Sequence, residues 1–400
     1  MRTKDKSVEL RKIKARINWM CEHKINAFSP TISPAPKSVA RGEIESIFGG
    51  LRYFYERGVQ DIVVQKKYMG SYCDIYLHKE LDDTYFVSRN GYKIEHINLT
   101  EAKMACEELH NRFDWNDLDV VIIQAELMPW NILGKGLIEA EYEGYFEAHE
   151  TRLNYLKTSG LYEKIQQVKM DIPFQNYLTD KSEMSNGALK KKYPAHVIRQ
   201  YSALESFQAL NLSNYEKGVE VFGKQVNHFA KEDYIYFKPF NILKKVFADG
   251  HEEIPNDNST YKLVNADEMK AFHIDSMESL ERIANELYTW FETLTDHMEE
   301  GIVIKPLKAF VANLPPALKV RNNNYLTMIY GIDFMDNLSK QINKRNIKGK
   351  LACSKNDWAI NYKLLSVPHN DIQKENYYYK NLMLDRILEE ETESALDPTL

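Results

Sequence analysis

The order of apolar and polar residues predicts a chain in which helices and strands alternate. Residues 1–24 are charged with a helical period, and a connector rich in Pro and Ser follows at Ser29–Pro36. The region from Asp61 to about Tyr92 is strand-like, with apolar runs at 62–64 and 85–87 and alternating apolar residues at Ile75 and Leu77. Leu81–Thr84 and Asn90–Gly91 interrupt this region with residues typical of hairpin turns, which predicts several short antiparallel strands.

The same patterns predict further helices and strands along the chain. Asn98 followed by Glu101 has the spacing of a capped helix start, and the predicted helix reaches His110. Asp275 and Glu278 predict a second capped helix. The other predicted elements are a strand at 118–127, a mainly helical stretch at 139–229, a strand at 234–243, a helix end near His297, strands at 302–304 and 317–320, and helices from 333 onward.

These elements predict an α+β fold with antiparallel-rich sheets, a helical insert and a helical C-terminal module. We find neither an internal repeat nor a low-complexity segment. The predicted divisions are an N-terminal helix and connector at 1–36, a first core part at 37–134, the insert at 135–232, a second core part at 233–332 and the C-terminal module at 333–400.

The composition is typical of a globular protein without a membrane span. Of the 400 residues, 44% are hydrophobic and 28% are charged, which allows a sizeable buried core. No apolar run approaches a transmembrane length, and the basic N-terminus lacks the apolar segment of a signal peptide. The four cysteines have no metal-binding spacing and predict reduced thiols in a cytoplasmic protein. With a net charge of −6, any binding to nucleic acid must use a local basic surface.

Six short patches at predicted strand ends or turns carry the candidate reactive residues. The first, Lys67-Tyr68-Met69-Gly70-Ser71, has a lysine three residues before a glycine, which lets the backbone approach a phosphate. A Lys-x-x-Gly arises about once by chance in a chain of this size, so the order of the later patches decides its meaning. Those patches are Ser88–Gly91, Gln124–Trp130, Lys238–Leu243, Glu300–Pro306 and Pro316–Arg321.

Taken singly, these residues have ordinary structural interpretations. A lone lysine such as Lys67 is typical of a surface, and a lone Glu126 beside an apolar strand is typical of a hydrogen-bonded carboxylate. Phe240 alone is typical of a core, and Arg89 alone belongs to a turn. Two charged stretches, Lys190–Lys192 and the acidic residues 389–393, are predicted to be solvated surface.

The succession of patches resembles the covalent nucleotidyltransferases, which include ATP-dependent RNA and DNA ligases and mRNA capping enzymes. Lys-x-Met-Gly-Ser, Glu-Leu-Met-Pro-Trp, Pro-Phe-x-x-Leu, Glu-Gly-Ile-Val-Ile-Lys-Pro and Pro-Ala-Leu-Lys-x-Arg are together similar to the ligase domain of the bacterial polynucleotide kinase-phosphatase-ligase RNA repair family. The resemblance runs from about Thr31 to the C-terminus and includes the helical stretch between Trp130 and Tyr234. It implies a nucleotidyltransferase core with an ATP-grasp-like cradle of the ligase type.

The resemblance also implies an ATP-dependent RNA ligase that forms a covalent lysyl-AMP intermediate. Lys67 is then the nucleophile, AMP passes to a 5′-phosphate RNA end, and a 3′-OH end displaces it. Glu300 is an implied ligand of Mg²⁺ or Mn²⁺, and Glu126 is either a second metal ligand or an acceptor for a ribose hydroxyl. The implied catalytic residues are Lys67, Lys319 and Glu300, and the implied nucleotide-binding residues are Lys67, Gly70, Arg89, Glu126, Phe240, Lys305, Lys319 and Arg321.

Elementary chemistry agrees with these implied roles. An amine attacks phosphorus only when unprotonated, whereas a free lysine titrates near about 10.4. Positive charge from Lys305, Lys319 and Arg321 would favour the unprotonated nucleophile. Within the resemblance, Lys319 also contacts the α-phosphate, Arg89 suits a 5′-phosphate and Phe240 offers a stacking face for adenine.

Two positions depart from the family pattern. Tyr72 stands where an arginine is usual, and Asn322 stands where a glycine is usual. The chain has no Gly-x-x-x-x-Gly-Lys-Ser/Thr loop of a kinase, so we expect a free-standing ligase module or one part of a split system. The resemblance implies RNA ends as substrates, with an end-healing kinase/phosphatase and a 3′-terminal RNA methyltransferase as partners, and weak sealing by this chain alone.

Three alternatives stay open at the level of sequence. An mRNA-capping guanylyltransferase shares the lysine chemistry but uses GTP. A DNA ligase normally carries a second nucleic-acid-binding barrel, whereas helices are predicted here after Arg321. A non-catalytic scaffold of the same fold would have no need of Lys67, Glu126, Glu300 and Lys319 together.

Overall fold

In the part of the chain that the structure describes, two five-stranded sheets form the centre of the protein. The computed structural model describes residues 6–26, 28–133, 137–208, 211–229 and 234–400. Its strands, in chain order, are β1 Ser33–Pro34, β2 Asp61–Lys67, β3 Ser71–His78, β4 Tyr85–Ser88, β5 Leu118–Met128, β6 Tyr236–Phe247, β7 Glu252–Glu253, β8 Met269–His273, β9 Gly301–Pro306 and β10 Leu318–Arg321.

Helices surround the two sheets, and six of those within the described residues lie between β5 and β6. None of the helices in the described ranges is long and apolar enough to cross a bilayer. In chain order they are α1 Lys6–Glu22, α2 Ile47–Tyr55, α3 Leu99–Met104, α4 Glu107–His110, α5 Leu137–Thr158, α6 Leu161–Met170, α7 Ile172–Glu183, α8 Asn186–Lys192, α9 Ala195–Gln208, α10 Leu212–Phe229, α11 Met277–Asp296, α12 Asn323–Tyr330, α13 Leu338–Lys344, α14 Lys348–Leu365 and α15 Tyr377–Ser394.

The first sheet has the strand order β1-β10-β9-β2-β8, and each pair except β1–β10 is antiparallel. Because side chains alternate across a strand, every second residue points to the same face. One face is apolar and packs on α2 and α11 through residues such as Ile62, Ile304 and Leu318. The opposite face carries Lys67 and Lys319 and forms one wall of a cleft.

The second sheet is antiparallel throughout, with the strand order β4-β3-β5-β6-β7. One face packs on α3 and α4, where Ile75 and Ile123 contact the same buried cluster as Leu109. The other face is partly covered by α1, α14 and α15, which bury Tyr76 and Ile122. The rest of this face, at the start of β3 and the end of β5, forms the second wall of the cleft.

The helices between β5 and β6 contact the core through α10. Phe222 of α10 shares a buried cluster with Trp130, which follows β5, and with Met328 of α12. Met69 packs against this cluster and so connects the lysine-glycine turn to the helical region. The predicted limits of the insert, at residues 134–135 and 232–233, lie outside the described residues, and the division into modules stays a prediction.

The predicted α+β fold with antiparallel-rich sheets is confirmed, but some helix limits differ from the prediction. Asn98 caps α3 as expected, yet the helix predicted to reach His110 is divided into α3 and α4. Ser276 and Ser279 form the capping box of α11, because each hydroxyl satisfies the other's backbone N–H, and so the predicted caps Asp275 and Glu278 are wrong. The C-terminal helices begin with α12, ahead of residue 333.

Candidate active site

A cleft of about 930 Å³ opens between the two sheets, and each of the six sequence patches contributes residues to its lining. Strand register explains the first wall. Lys67 of β2 pairs with Gly301 of β9, which pairs with Arg321 of β10. Two residues back along β2, Gln65 is aligned through β9 with Lys319. These residues share one face with Lys305 of β9, so three neighbouring strands present polar side chains to the cleft.

Lys67 is the last residue of β2, and its Nζ lies 2.9 Å from Oε1 of Glu300. The side chain of Glu300 is 3% exposed, whereas that of Lys67 is 22% exposed and lines the cleft. Glu300 immediately precedes Gly301, the register partner of Lys67, so strand pairing itself positions the carboxylate. A buried carboxylate requires a charged or hydrogen-bonding partner. The pair therefore holds the Lys67 amine in one orientation.

Close packing around Lys67 requires two glycines. The N–H of Gly70 donates a 2.9 Å hydrogen bond to Oε1 of Glu126, and a Cβ on Gly70 would lie 2.5 Å from Cγ of that glutamate. Gly301 has a φ of 150°, and a Cβ there would lie 2.1 Å from the carbonyl oxygen of Val320. The glycines of Lys-x-x-Gly and Glu-Gly are thus steric requirements of the site.

Glu126 is the second carboxylate beside Lys67. Burial raises the pKa of Glu126 to about 7, although Lys67 lowers it, and the negative charge of Glu300 contributes a smaller rise. The buried carboxylate of Glu300 and the half-buried carboxylate of Glu126 lie next to one lysine and form an oxygen-rich set of donors of the kind that Mg²⁺ and Mn²⁺ prefer. A divalent cation would also relieve the repulsion between the two carboxylates, so these residues fit a metal.

Lys305 is held by neutral partners in the cleft wall. Its Nζ donates hydrogen bonds of 2.5 Å to Oε1 of Gln65 and 3.2 Å to Oδ1 of Asn241. Burial lowers the pKa of Lys305 to about 7. Burial thus disfavours the charged form of Lys305, and the two neutral amide oxygens supply no compensating negative charge.

Phe240 is positioned by an irregularity in β6. The register between β5 and β6 shifts here, so that Pro239 and Asn241 have partners in β5 while Phe240 is the bulged residue. A β-bulge re-aims its side chain, and the ring of Phe240 lines the cleft. Its centroid lies 6.3 Å from that of Tyr68 with an interplanar angle of 17°, and its carbonyl accepts a 3.1 Å hydrogen bond from Nε2 of Gln65. The two rings form an aromatic surface suited to a planar base.

Arg321 lines the cleft, but its polar groups are engaged by Glu45. Its Nη2 donates a 2.6 Å hydrogen bond to Oε1 of Glu45, and its backbone N–H donates a 2.8 Å hydrogen bond to Oε2. Arg345 donates to the same carboxylate. Burial would raise the pKa of Glu45, but the two arginines lower it overall. In this arrangement Arg321 fixes the position of β10, and its predicted contact with nucleotide stays a prediction.

Lys319 lies in β10 and lines the cleft. Burial, followed by repulsion from Arg321 and Lys67, holds the pKa of Lys319 well below its ordinary value. An anion entering the cleft would favour its charged form. The predicted contact between Lys319 and a phosphate stays a prediction.

Arg89 lies at the rim of the cleft, in the turn after β4, and its side chain is 53% exposed. Its Nη2 is 2.5 Å from Oε1 of Glu393 on α15. Glu393 belongs to the acidic stretch predicted as solvated surface, yet its side chain is only 11% exposed, so the prediction is wrong for this residue. The reason is non-local, because α15 packs against α1 and α14 and brings its last turn to the cleft. Lys190–Lys192 is exposed, as predicted.

The two departures from the family pattern both have structural partners. The Tyr72 hydroxyl hydrogen-bonds to Asp74 and Gln124 within the cleft wall. Asn322 caps α12, and its Nδ2 donates a 2.6 Å hydrogen bond to the carbonyl oxygen of Glu299. Asn322 therefore braces the segment that leads into Glu300.

Several polar residues of the site were not predicted from sequence. Gln65, Gln124 and Asn241 are buried on strands that are otherwise largely apolar. A polar residue at an inward strand position is seldom buried without a partner, and this is the signal that identifies such residues. Glu45 lies before α2 in a loop without a comparable pattern.

Comparisons with known proteins agree with this geometry. The family described as PNKP adenylyltransferase domain, ligase domain, matches residues 21–369. A chain in a solved structure described as a Pnkp1/Rnl/Hen1 complex is 50% identical, with 99% of this chain and 100% of that chain covered and a TM-score of 0.90. A chain in a second structure, described as the Pnkp1/Rnl/Hen1 RNA repair complex, has the same identity and coverage and a TM-score of 0.91. A search of the curated proteins found no match.

The family match covers most of this chain. The two 50% identical chains have the same fold as this protein over 99% of its length. The order of the motifs and the arrangement around Lys67 lead to the same assignment. The chain therefore belongs to the family of PNKP ligase domains and is an adenylyltransferase.

Proposed function

We propose that this protein seals RNA ends through a covalent lysyl-AMP intermediate on Lys67. First, the unprotonated Nζ of Lys67 attacks the α-phosphorus of ATP and loses a proton to form the phosphoramidate. The bond between the α-phosphorus and the oxygen that bridges it to the β-phosphorus breaks, and pyrophosphate leaves. AMP then passes to the 5′-phosphate of one RNA end, and the 3′-hydroxyl of a second end displaces it. The observation that carries this proposal is the 2.9 Å contact of Lys67 with the buried Glu300, beside a cleft that residues of all six sequence patches line.

The residues around Lys67 have distinct tasks in this proposal. Phosphoryl transfer depends on positioning and on neutralising the phosphate oxygens. Glu300 orients the attacking amine, and Lys319 meets the negative charge of the α-phosphate. The bulged Phe240 gives adenine a stacking surface. Arg321 acts mainly through Glu45, since that ion pair fixes the strand from which Lys319 projects.

We further propose that Glu300 and Glu126 hold Mg²⁺ or Mn²⁺. When bound, the cation supplies charge neutralisation at the phosphate oxygens of ATP. Glu126 is kept in place by the N–H of Gly70, and Glu300 by its contact with Lys67. Both carboxylates thus stay close to the amine that reacts.

The decisive experiment is mass spectrometry of the purified protein after incubation with ATP and Mg²⁺. We expect one AMP mass on the peptide that contains Lys67, and none in Lys67→Ala. Lys270→Ala is a matched control, because Lys270 lies in the same sheet and pairs with Glu286 at the surface. An adduct that persists in Lys67→Ala would overturn the proposal. Labelling by GTP in place of ATP would instead favour a capping-type guanylyltransferase.

The substrate and the partners are tested separately from adenylation. The 50% identical relatives are described as parts of Pnkp1/Rnl/Hen1 assemblies. We propose that this chain likewise acts with an end-healing kinase/phosphatase and a 3′-terminal RNA methyltransferase, and that it seals weakly alone. Nicked RNA and nicked DNA of one sequence should be offered to the isolated chain. Rapid multiple-turnover sealing of RNA would contradict the partner dependence, and preferential sealing of DNA would contradict the RNA assignment.

A further inference from the structure

The turn that leads into Glu300 has a methionine at a position that favours glycine. Helix α11 ends with a Schellman motif, in which the N–H of Met298 donates to the carbonyl oxygen of Thr295 and the next N–H donates to that of Leu294. Met298 adopts the left-handed conformation that this motif requires, with a φ of 63°. A residue with a Cβ is strained at this angle, whereas glycine is not. The methionine therefore makes the turn less stable than glycine would.

The side chain of Met298 is contacted by a helix of the region between β5 and β6. Nε2 of Gln225, on α10, donates a 3.4 Å hydrogen bond to Sδ of Met298. Gln225 is fully buried, and its Oε1 has no hydrogen-bond partner among the described residues. A thioether is a weak acceptor, and a buried carbonyl without a partner is destabilising. An apolar side chain of similar volume would avoid this penalty.

Two destabilising features thus meet at one contact, which lies directly before the reactive segment. Glu299 forms a 2.5 Å ion pair with Lys66. The next residue, Glu300, contacts Lys67 at 2.9 Å. Two successive glutamates therefore pair with the last two residues of β2. Features that reduce stability are kept at places where they serve a functional site, and this contact is adjacent to one.

The segment before Glu300 is held from two sides by helices that pack on each other. Phe222, one turn before Gln225 on α10, shares a buried cluster with Met328 of α12. Asn322, which caps α12, donates a 2.6 Å hydrogen bond to the carbonyl oxygen of Glu299. The cap of α12 therefore fixes the backbone of the segment, and α10 fixes the turn that precedes it.

We propose that Gln225 is a positioning residue for adenylation, acting through Met298 on Glu300. The inference rests on the proposed function, because the affected step is the formation of Lys67–AMP. Gln225 holds the side chain of Met298, so the left-handed turn keeps one geometry. Glu300 then keeps its carboxylate beside the Lys67 amine. In this way α10 contributes to adenylation without contacting a substrate.

The test compares adenylation with stability in variants of the full chain. Gln225→Leu removes the amide and keeps a similar volume, and Met298→Gly removes the acceptor and relieves the left-handed strain. Asn227→Leu is the control for the first variant, because Asn227 is exposed on the same helix. Lys24→Gly is the control for the second variant. Lys24 ends α1 in the same motif with a φ of 49°, and it does not line the cleft.

We expect Gln225→Leu and Met298→Gly each to lower the single-turnover rate of Lys67–AMP formation at saturating ATP by about 10-fold or more, since a displaced carboxylate misaligns the amine. The half-saturating ATP concentration should stay unchanged. The midpoint of urea unfolding should stay unchanged or rise, because each substitution removes a destabilising feature. The double variant should be no slower than the slower single variant, because both changes act through one contact.

Several results would overturn the proposal. A normal rate in either single variant would exclude the contact from adenylation. A rate loss that accompanies a lower urea midpoint, or that occurs equally in the controls, would assign Gln225 to the fold alone. Losses that multiply in the double variant would show that the two residues act independently. A higher half-saturating ATP concentration with a normal rate would place the effect on nucleotide binding.

Failure of the proposed function can be told apart from failure of the positioning role. If the unaltered protein forms no Lys67–AMP, the proposed function fails, and the positioning role is tested without ATP. Hydrogen exchange of the peptide 297–301 then reports on the turn directly. Gln225→Leu should accelerate exchange in that peptide several-fold, whereas Asn227→Leu should not. Equal exchange in the two variants would overturn the positioning role.

Discussion

The hydroxyl of Tyr72 donates a 2.6 Å hydrogen bond to Oδ1 of the buried Asp74. The same hydroxyl accepts a 2.8 Å hydrogen bond from Nε2 of Gln124, whose Oε1 accepts one of 3.3 Å from Nδ2 of Asn241. Asn241 in turn accepts a hydrogen bond from Lys305. A continuous series of hydrogen bonds therefore connects the two sheets. It begins at Lys305 and leads to Tyr72, the position where this sequence departs from its family.

We expect Tyr72→Phe to lower the free energy of unfolding by about 1–3 kcal/mol, because Asp74 and Gln124 each lose a buried partner. The half-saturating ATP concentration should rise as well, since the series of hydrogen bonds that holds Lys305 in place is interrupted. Urea unfolding and Lys67–AMP formation check the two effects. Tyr378→Phe is the control, because that side chain is 61% exposed. Equal stability losses in both variants would contradict a special role for Tyr72.

Asp74 should make stability depend on pH. Burial raises its pKa to about 8, against an ordinary value of 3.8, although the hydrogen bond from Tyr72 lowers it. Between these values the folded protein retains a proton that the unfolded chain loses, so the contribution of this group to stability falls as pH rises.

The substitution Asp74→Asn removes this titration. We expect the free energy of unfolding of the variant, relative to the unaltered protein, to increase from about pH 5 to about pH 8, by up to about 1.4 kcal/mol per pH unit. Urea unfolding at several pH values measures the difference, and Asp385→Asn on the exposed face of α15 should show no such trend. A difference that is constant with pH would contradict the raised pKa of Asp74.

The strands that carry the motifs could be predicted from sequence because they contain apolar runs such as Ile62-Val63-Val64 and Ile302-Val303-Ile304. Side chains alternate along a strand, so Ile62 and Val64 enter the core beside Ile302 and Ile304, whereas Gln65 and Lys67 point to the opposite face. The order of the motifs then indicated the family, and the family implied which lysine reacts. The prediction of Lys67 thus rested on resemblance as well as on local pattern.

The remaining features depend on contacts between residues far apart in the chain. Glu45 binds Arg321, and Glu393 binds Arg89, but no local spacing relates either pair. The bulge at Phe240 could not be predicted from the sequence either, because a register shift is a property of two paired strands rather than of one strand. Sequence indicated which residues belong to the cleft, whereas only the structure shows which of their charges already have partners.

Gly301→Ala should disrupt the site through the backbone. The added Cβ would lie 2.1 Å from the carbonyl oxygen of Val320, at a φ of 150°. Strain and overpacking together should lower the free energy of unfolding by about 2 kcal/mol or more and reduce Lys67–AMP formation, since Glu300 is displaced. Gly144→Ala is the control, because nothing lies within 4 Å of its added Cβ and alanine favours the helix. Normal adenylation by Gly301→Ala would contradict the steric requirement.

Phe240 should contribute to ATP binding through its aromatic face. We expect Phe240→Ala to raise the half-saturating ATP concentration by about 10-fold, which matches a stacking free energy of about 1–3 kcal/mol. Phe240→Tyr keeps the ring and should behave like the unaltered protein, whereas Phe240→Leu keeps only the apolar volume and should resemble the alanine variant. Lys67–AMP formation at several ATP concentrations separates these cases. Equal activity of the leucine and tyrosine variants would exclude stacking.

Breaking the buried ion pair between Glu45 and Arg321 should lower the free energy of unfolding far more than breaking an ion pair at the surface. Glu45 accepts from both Arg321 and Arg345, and its side chain is fully buried, so Glu45→Gln leaves two cations without a compensating charge. Removing one partner of a buried pair costs about 3–5 kcal/mol.

We therefore expect Glu45→Gln to lower the free energy of unfolding by about that amount. It should also slow Lys67–AMP formation, because Arg321 fixes the strand that carries Lys319. Glu56→Gln, which removes the charge of the exposed partner of Arg52, should change both quantities much less. Urea unfolding and single-turnover adenylation measure the two effects independently. A Glu45→Gln protein that is destabilised but adenylates at the normal rate would show that Arg321 is needed for the fold and not for the placement of Lys319.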